Sequence, residues 1–255
     1  MSTWNPTQYL RFGNERLQPA LDLLARIPLE DPSIIYDLGC GTGTITSFLK
    51  ERWPGAKVTG IDSSETMLER AGALEAEVTW QQQDLNGWNP EVPADLLYSN
   101  AVLHWLDDHE ELFPRLMAGL NPGGVLAVQM PQNFSAPTHA LIATTVRAGP
   151  WRDLLEPELR EHPVADFSSY YDILSSHATR LDFWEITYLH VLQGDDPVVE
   201  WTKGSILGPL LALLNDSDKE AFLQAYREPI SKAYVRRDDG STLLPFRRLF
   251  LIAVK

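Results

Sequence analysis

Between residues 34 and 129 the chain alternates, five times over, between a short apolar run and an amphipathic stretch. The strand-like segments fall at 34–38, 57–61, 78–82, 95–99 and 125–129, the first of them an unbroken apolar run but for Asp37. Runs of this length bounded by turn residues read as buried strands. Between them, 44–53 sets Ile45, Phe48 and Leu49 on one helical face before Pro54-Gly55 stops it. Residues 63–71 read as a second helix. A third runs to Leu120, with Asp108 and Glu111 at the spacing of a capping box. Asn121-Pro122-Gly123-Gly124 closes it and turns into the fifth strand. Strands separated by helices pair parallel through right-handed crossovers, so the expected core is a doubly wound α/β sheet.

The second half breaks this rhythm. Residues 133–180 read as helical and irregular, with several prolines, and 196–235 as amphipathic helices around an apolar patch at 210–214. Residues 183–191 alternate like a strand and 246–254 are rich in branched and aromatic residues, which raises the expected sheet to seven. At 255 residues the chain fits one domain, 1–255. Within it we expect an N-terminal lid or helix at 1–30, a ligand-binding core at 31–132, and helical insertions at 133–180 and 196–245 covering the active-site edge. Trp4, Tyr9 and Phe12 would be wasted on a loose tail, which is the reason for reading a lid.

A formal net charge of −14 argues against a nucleic-acid partner, because phosphate contacts need a basic surface. The one cysteine, Cys40, excludes an internal disulfide and a multi-cysteine metal site, and no metal is expected. No apolar run approaches the ~18 residues of a membrane span, and the start lacks a signal core, so a cytoplasmic location without membrane contact is expected. Oligomeric state is not readable.

The strongest local signal is Asp37-Leu38-Gly39-Cys40-Gly41-Thr42-Gly43, which leaves an apolar strand and opens a helix. Its spacing is G-x-G-x-G. The dinucleotide fingerprint would need a glycine where Thr44 stands, which disfavours a nicotinamide cofactor. The acid before the first glycine is awkward for a pyrophosphate but suits an ammonium or sulfonium, and S-adenosylmethionine carries both. Asp62 ends the second strand about 20 residues after the glycines, the offset of a ribose-binding acid. Its plainer reading is a helix cap, a duty Ser63 can take instead. Asp84 follows the third strand and could accept from an adenine amino group, with Leu85 beside the ring; otherwise it is a loop cap. Cys40 reads as packing within the turn, not as a nucleophile.

Together these residues resemble the class I S-adenosylmethionine-dependent methyltransferases over roughly residues 34–130. The resemblance implies that Asp37, Gly39, Gly41 and Gly43 hold the methionine end, Asp62 the ribose and Asp84 the adenine, leaving S-adenosylhomocysteine as product. It also implies that the last strand runs antiparallel in a mostly parallel seven-stranded sheet. Outside the core, Trp4-Asn5-Pro6 with Tyr9, Asn100-Ala101-Val102-Leu103-His104-Trp105, Gln129-Met130-Pro131, 170–174 and 245–250 are similar to a branch of that family that forms the monomethyl ester of a small polycarboxylate. That extends the expected cofactor set to Trp4 and Asn100.

Such an acid needs cations and hydrogen-bond donors, but no general base. The candidates are His104 and Trp105 as positioning residues, Tyr171 (Tyr170 and Tyr171 could both donate hydroxyls, or both be aromatic core), and Arg248. An antiparallel last strand starts at the carboxyl edge of the others. Strand alternation then lets only one of Arg247 and Arg248 face a pocket, and the match to the family favours Arg248. Two other readings stay open: a methyltransferase for another free or carrier-linked acid, and an inactive regulator that binds the cofactor.

Overall fold

A computed structural model describes residues 13–74 and 77–255. Helix α1 (Gly13–Ala25) precedes β1 (Ile34–Leu38), α2 (Thr44–Arg52), β2 (Lys57–Asp62), α3 (Glu65–Gly72), β3 (Thr79–Gln82) and β4 (Ala94–Asn100). A 3-10 turn (Leu103–Trp105), α4 (His109–Ala118) and β5 (Leu120–Pro131) follow. Then come α5 (Pro137–Ala148), α6 (Arg152–Leu155), a second 3-10 turn (Glu156–Glu158), α7 (Phe167–Leu174) and β6 (Arg180–Leu192). The chain ends with α8 (Pro197–Lys203), α9 (Leu207–Ala212), α10 (Asp216–Ala233) and β7 (Thr242–Val254).

The seven strands form one sheet in the order β3-β2-β1-β4-β5-β7-β6. β1 pairs parallel with β2 and β4, β2 with β3, and β4 with β5. β7 lies antiparallel to β5, from Val125 opposite Val254 to Pro131 opposite Arg248. The order reverses between β1 and β4. In an open parallel sheet that reversal opens a crevice at the carboxyl ends of the strands, where ligands bind.

Local chemistry explains where the elements start, and corrects the sequence reading at several points. The cap of α3 is Ser64, not Ser63: its hydroxyl accepts from the Met67 N–H at 3.3 Å. No capping box opens α4. Asp108 sits at φ 52°, left-handed backbone that turns its carboxylate away from the first helical N–H groups, and its side chain makes no cap bond. The helix stops at Ala118, so Asn121-Pro122-Gly123-Gly124 lies inside β5 and does not end the helix. There the Gly123 N–H donates to Lys255 O at 3.0 Å and the Lys255 N–H returns to Gly124 O at 2.9 Å. The turn residues thus tie the start of β5 to the end of the chain. β6 and β7 both run longer than 183–191 and 246–254: β6 begins at the largely polar Arg180-Leu181-Asp182, and β7 begins at Thr242 and carries Pro245, which reads as a strand breaker, inside it.

The chain falls into two compact units. One holds residues 16–131, 163–186 and 248–255, and its core is built on the inner strands, with Ile35, Leu38, Leu96, Leu97, Val125 and Leu126 among its buried residues. The other holds 132–162 and 187–247 and is mainly helical. Trp151, Trp201, Leu207, Phe222, Tyr226 and Phe246 pack in its core, and the Tyr226 hydroxyl donates to Thr138 O at 2.8 Å. Within the apolar 210–214 patch, Leu210 and Leu214 are buried and Leu213 is exposed. No described helix is long and apolar enough to cross a membrane.

Candidate active site

Ladder register decides which side chains share a face, because partners point the same way and side chains alternate along each strand. Asp37 is paired with Gly60 and with Tyr98, so Asp62 and Asn100, each two residues on, lie on its face. Asn100 is paired with Gln129. Gln129 is opposite Phe250, which puts Arg248, two residues away, on that face as well. Five polar side chains from five strands thus line one face at the carboxyl edge. All five belong to the sheet unit.

The three loop glycines all adopt positive φ, at 75°, 56° and 78° for Gly39, Gly41 and Gly43. Their reasons differ. A Cβ on Gly39 would lie 2.3 Å from Val102, and one on Gly43 would lie 2.5 Å from Trp80. Those two glycines are demanded by packing. A Cβ on Gly41 would meet nothing within 4 Å, so there the bare backbone borders open space. The loop is held down by the Gly39 and Cys40 N–H groups, both donating to Ile61 O at 2.8 Å. Cys40 is buried, and burial, with the charges of Asp37 and Asp62, pushes its thiol well above the usual range. A thiol held protonated is no nucleophile.

Asp62 accepts the Gly41 N–H on Oδ2 at 2.8 Å and the Ser64 N–H on Oδ1 at 2.9 Å. Each oxygen keeps a further lone pair for a ligand hydroxyl. Asp37 is 3% exposed and accepts from the Thr46 hydroxyl at 2.6 Å. Burial raises its pKa to about 7, the Thr46 bond opposes that, and the charge of Asp62 adds to it. A buried carboxyl of this kind is poised for a cationic partner. Asp84 is exposed, and its Oδ1 accepts from both the backbone and side-chain N–H of Asn86 at 2.9 Å. Leu85 beside it is buried.

At the end of β4, Asn100 Oδ1 is buried and has no hydrogen-bond partner among the described residues. Ala101 follows at φ 57°, strained for a residue with a Cβ, and turns the chain off the strand. His104 is buried, its ring centroid 4.9 Å from that of Trp105, which is 39% exposed. The two tyrosines separate. Tyr170 is fully buried, accepts from the Ala165 N–H at 3.3 Å and lies 2.8 Å from His109 Nδ1. His109 Nε2 lies 3.0 Å from Leu103 O, which only a ring N–H can satisfy, so Nδ1 accepts and the Tyr170 hydroxyl is committed to the fold. Tyr171 is 55% exposed.

Arg248 is 6% exposed, and its Nη1 lies 3.5 Å from Gln129 Oε1. Arg247 points the other way, exposed, while its backbone pairs reciprocally with the Asn133 side chain. Trp4 lies outside the described residues. Sequence reasoning missed three residues here: Thr46, His109 and Gln129. The one available signal was a lone glutamine ending the apolar run of β5.

Residues 35–124 match the family described as a methyltransferase domain. Over 255 residues the chain is 46% identical to trans-aconitate 2-methyltransferase of Azoarcus sp. strain BH72, covering 100% of both chains. It is 43% identical to the protein of that name from Shigella flexneri serotype 5b, over 99% of this chain and 98% of that one. For the Rhizobium etli protein of that name the identity is 44%, over 99% of each. Among solved structures, Haemonchus contortus phosphoethanolamine N-methyltransferase 2, in complex with phosphomonomethylethanolamine and S-adenosylhomocysteine, is similar at TM-score 0.58 and 17% identity, over 98% of this chain and 56% of that one. The YcgJ protein of Bacillus subtilis is similar at TM-score 0.59 and 14% identity, over 92% and 96%. The structures share the fold. Because the sequence identity runs from end to end of both chains and is not confined to the nucleotide-binding half, this chain belongs to the trans-aconitate 2-methyltransferase family of class I methyltransferases.

Proposed function

We propose that this chain transfers a methyl group from S-adenosylmethionine to one carboxylate of trans-aconitate, giving the monomethyl ester. The observation that carries the reading is the polarity of the site's edge: carboxylates at β1 and β2, a buried guanidinium at β7. The chain can thus offer a negative flank to a cationic donor and a positive one to an anionic acid. The names of the full-length relatives support the same substrate.

The residues fit the donor. Backbone at Gly41 borders open space, and Asn100 offers a buried acceptor that nothing among the described residues satisfies. In this reading Asp62 holds the ribose hydroxyls, Asp84 and Leu85 flank the adenine, and Asp37 faces the amino group. When bound, S-adenosylmethionine supplies a methyl group on a sulfonium, which is electrophilic without further activation. The acid's carboxylates titrate near pH ~4, so at pH 7 the attacking oxygen is ionised and no side chain need remove a proton. What remains for the protein is to align that oxygen and exclude water, and alignment alone supplies ~7–11 kcal/mol. Arg248 anchors the acid through a carboxylate not being methylated, and His104 and Trp105 bound the acid from the turn after β4.

Incubation with methyl-labelled donor and trans-aconitate tests this. The expected product is one methyl heavier than the acid, and mild alkali releases its label as methanol. No transfer to trans-aconitate, or preferred transfer to another acid in a competing panel, would overturn the reading.

A further inference from the structure

Gln129 is fully buried at the end of β5, a strand otherwise apolar from Val125 to Met130. Its carboxamide is oriented by its neighbour. Arg248 Nη1 lies 3.5 Å from Oε1, long for a hydrogen bond but decisive for the sense of the amide, since flipping it would set two donors face to face. The Nε2 group therefore points away from the guanidinium, and it has no hydrogen-bond partner among the described residues. On the other side the ladder sets Asn100 directly beside Gln129, yet Asn100 Oδ1 is also unmatched. The pair leaves one buried acceptor and one buried donor unused. Unmatched buried polar groups are costly and are retained where a ligand completes them.

Read across the sheet, the shared face shows an ordered polarity. It begins with the carboxylates of Asp62 on β2 and Asp37 on β1, passes to the lone acceptor of Asn100 on β4, then to the lone donor of Gln129 on β5, and ends at the guanidinium of Arg248 on β7. The change of sign falls between β4 and β5. A cationic methyl donor belongs on the acceptor side of that line and a polycarboxylate on the donor side.

We infer that Gln129 is a specificity-determining residue for the acid: its Nε2 donates to a carboxylate oxygen while its Oε1 orients Arg248 toward the same molecule. This rests on the methyltransferase reading above and names a residue that reading does not need.

The test uses the intact enzyme and three variants, Gln129→Leu, Gln129→Glu and Gln129→Asn, each checked for folding by its thermal midpoint. Gln129→Leu should lower kcat/KM for trans-aconitate about 10–100-fold, the scale of one hydrogen bond to a charged group, with S-adenosylmethionine affinity by calorimetry unchanged. Gln129→Glu keeps an acceptor for Arg248 but loses the donor, so a merely structural role would survive it. The inference requires it to be at least as damaging as Gln129→Leu. Gln129→Asn keeps the amide on a shorter stem and should fall between wild type and Gln129→Leu. Fumarate, cis-glutaconate and itaconate, which lack in turn the carboxymethyl group, the central carboxylate and the vinylic C1 carboxylate, serve as competitive inhibitors. For whichever lacks the contacted group, the inhibition constant should be the same in wild type and Gln129→Leu. Full activity in folded Gln129→Glu would overturn the inference, as would a loss of donor affinity that accounts for the whole defect, or equal weakening of all three inhibitors. Wild-type enzyme inert on trans-aconitate would instead overturn the functional reading, and this inference with it.

Discussion

Asp62 uses one carboxylate to brace the Gly41 and Ser64 N–H groups, and the proposed ribose contacts would draw on the lone pairs that remain. Asp62→Ala should therefore weaken S-adenosylmethionine binding by ~1.5–3 kcal/mol or somewhat more, since the loop loses its brace as well as the ligand its acceptor. Calorimetry showing wild-type affinity would remove Asp62 from the site. Asp37 makes the opposite kind of statement, because its carboxyl is held with a pKa of about 7 against 3.8 for an ordinary aspartate. Between those values the folded protein keeps a proton that the unfolded chain has released. Stability from this group is thus greatest below pH ~4 and falls as pH rises to about 7, by roughly 4 kcal/mol if the whole shift is expressed. Asp37→Asn removes the titration. Denaturation curves should show its stability gaining on wild type steadily from pH 5 to 7.5. A cation seated against Asp37 favours the ionised form, so donor binding at pH 6.5 should release protons, read as a heat that varies with buffer ionisation enthalpy. Parallel stability curves and a buffer-independent heat would contradict both expectations.

At the scale of elements, the glycine turn and β7 each separate residues that look alike in sequence. Gly41→Val should fold, at a cost of ~1–2 kcal/mol for a side chain in left-handed backbone, and should lose donor binding because the side chain fills the space it borders. Gly39→Val should fail earlier, in folding itself, since its Cβ would run into Val102. Thermal midpoints beside binding isotherms distinguish the two; a folded Gly41→Val that binds normally would displace the ligand from the turn. On β7, Arg248→Ala should cost ~2–5 kcal/mol in kcat/KM with donor affinity kept, and Arg248→Lys should recover part of it, lacking the planar fork. If Arg247→Ala carried the loss instead, the acid would lie on the opposite face of the strand. The parallel core and the glycine turn were readable because period, punctuation and family resemblance agreed there, and the antiparallel last strand was implied by the resemblance alone. The start of α4 was misread because spacing identifies a capping box but not the left-handed φ of Asp108 that disables it. Tyr170 and Tyr171 are adjacent on one helix, and only the partner, His109, decides which of them is spent inside the fold. Gln129 stood in a motif of the resemblance but was given no role of its own, because its meaning comes from Arg248, more than a hundred residues away in the chain and a neighbour only through strand pairing.

The whole molecule sets the two ligands against each other. Its formal charge of −14 repels a trianionic acid on approach and attracts a donor whose net charge near pH 7 is positive. That long-range field is weakened by salt, since the screening length shrinks from ~30 Å at 0.01 M to ~8 Å at 0.15 M. The pairing of a carboxylate with Arg248 acts at contact distance, where the guanidinium is 6% exposed, and is screened far less. The two substrates should therefore respond to salt with opposite sign. Between about 10 and 150 mM salt, kcat/KM for trans-aconitate should rise, by roughly two- to threefold if the field acts mainly on encounter, while S-adenosylmethionine affinity should fall. Initial rates at subsaturating acid and saturating donor, set beside donor titrations over the same salt series, measure both slopes. If both fell together, the local positive flank at β5 and β7 would outweigh the net charge at every distance the acid travels. If both stayed flat, neither substrate would experience the molecule's overall field, and discrimination between them would rest wholly on the row of side chains along the sheet edge.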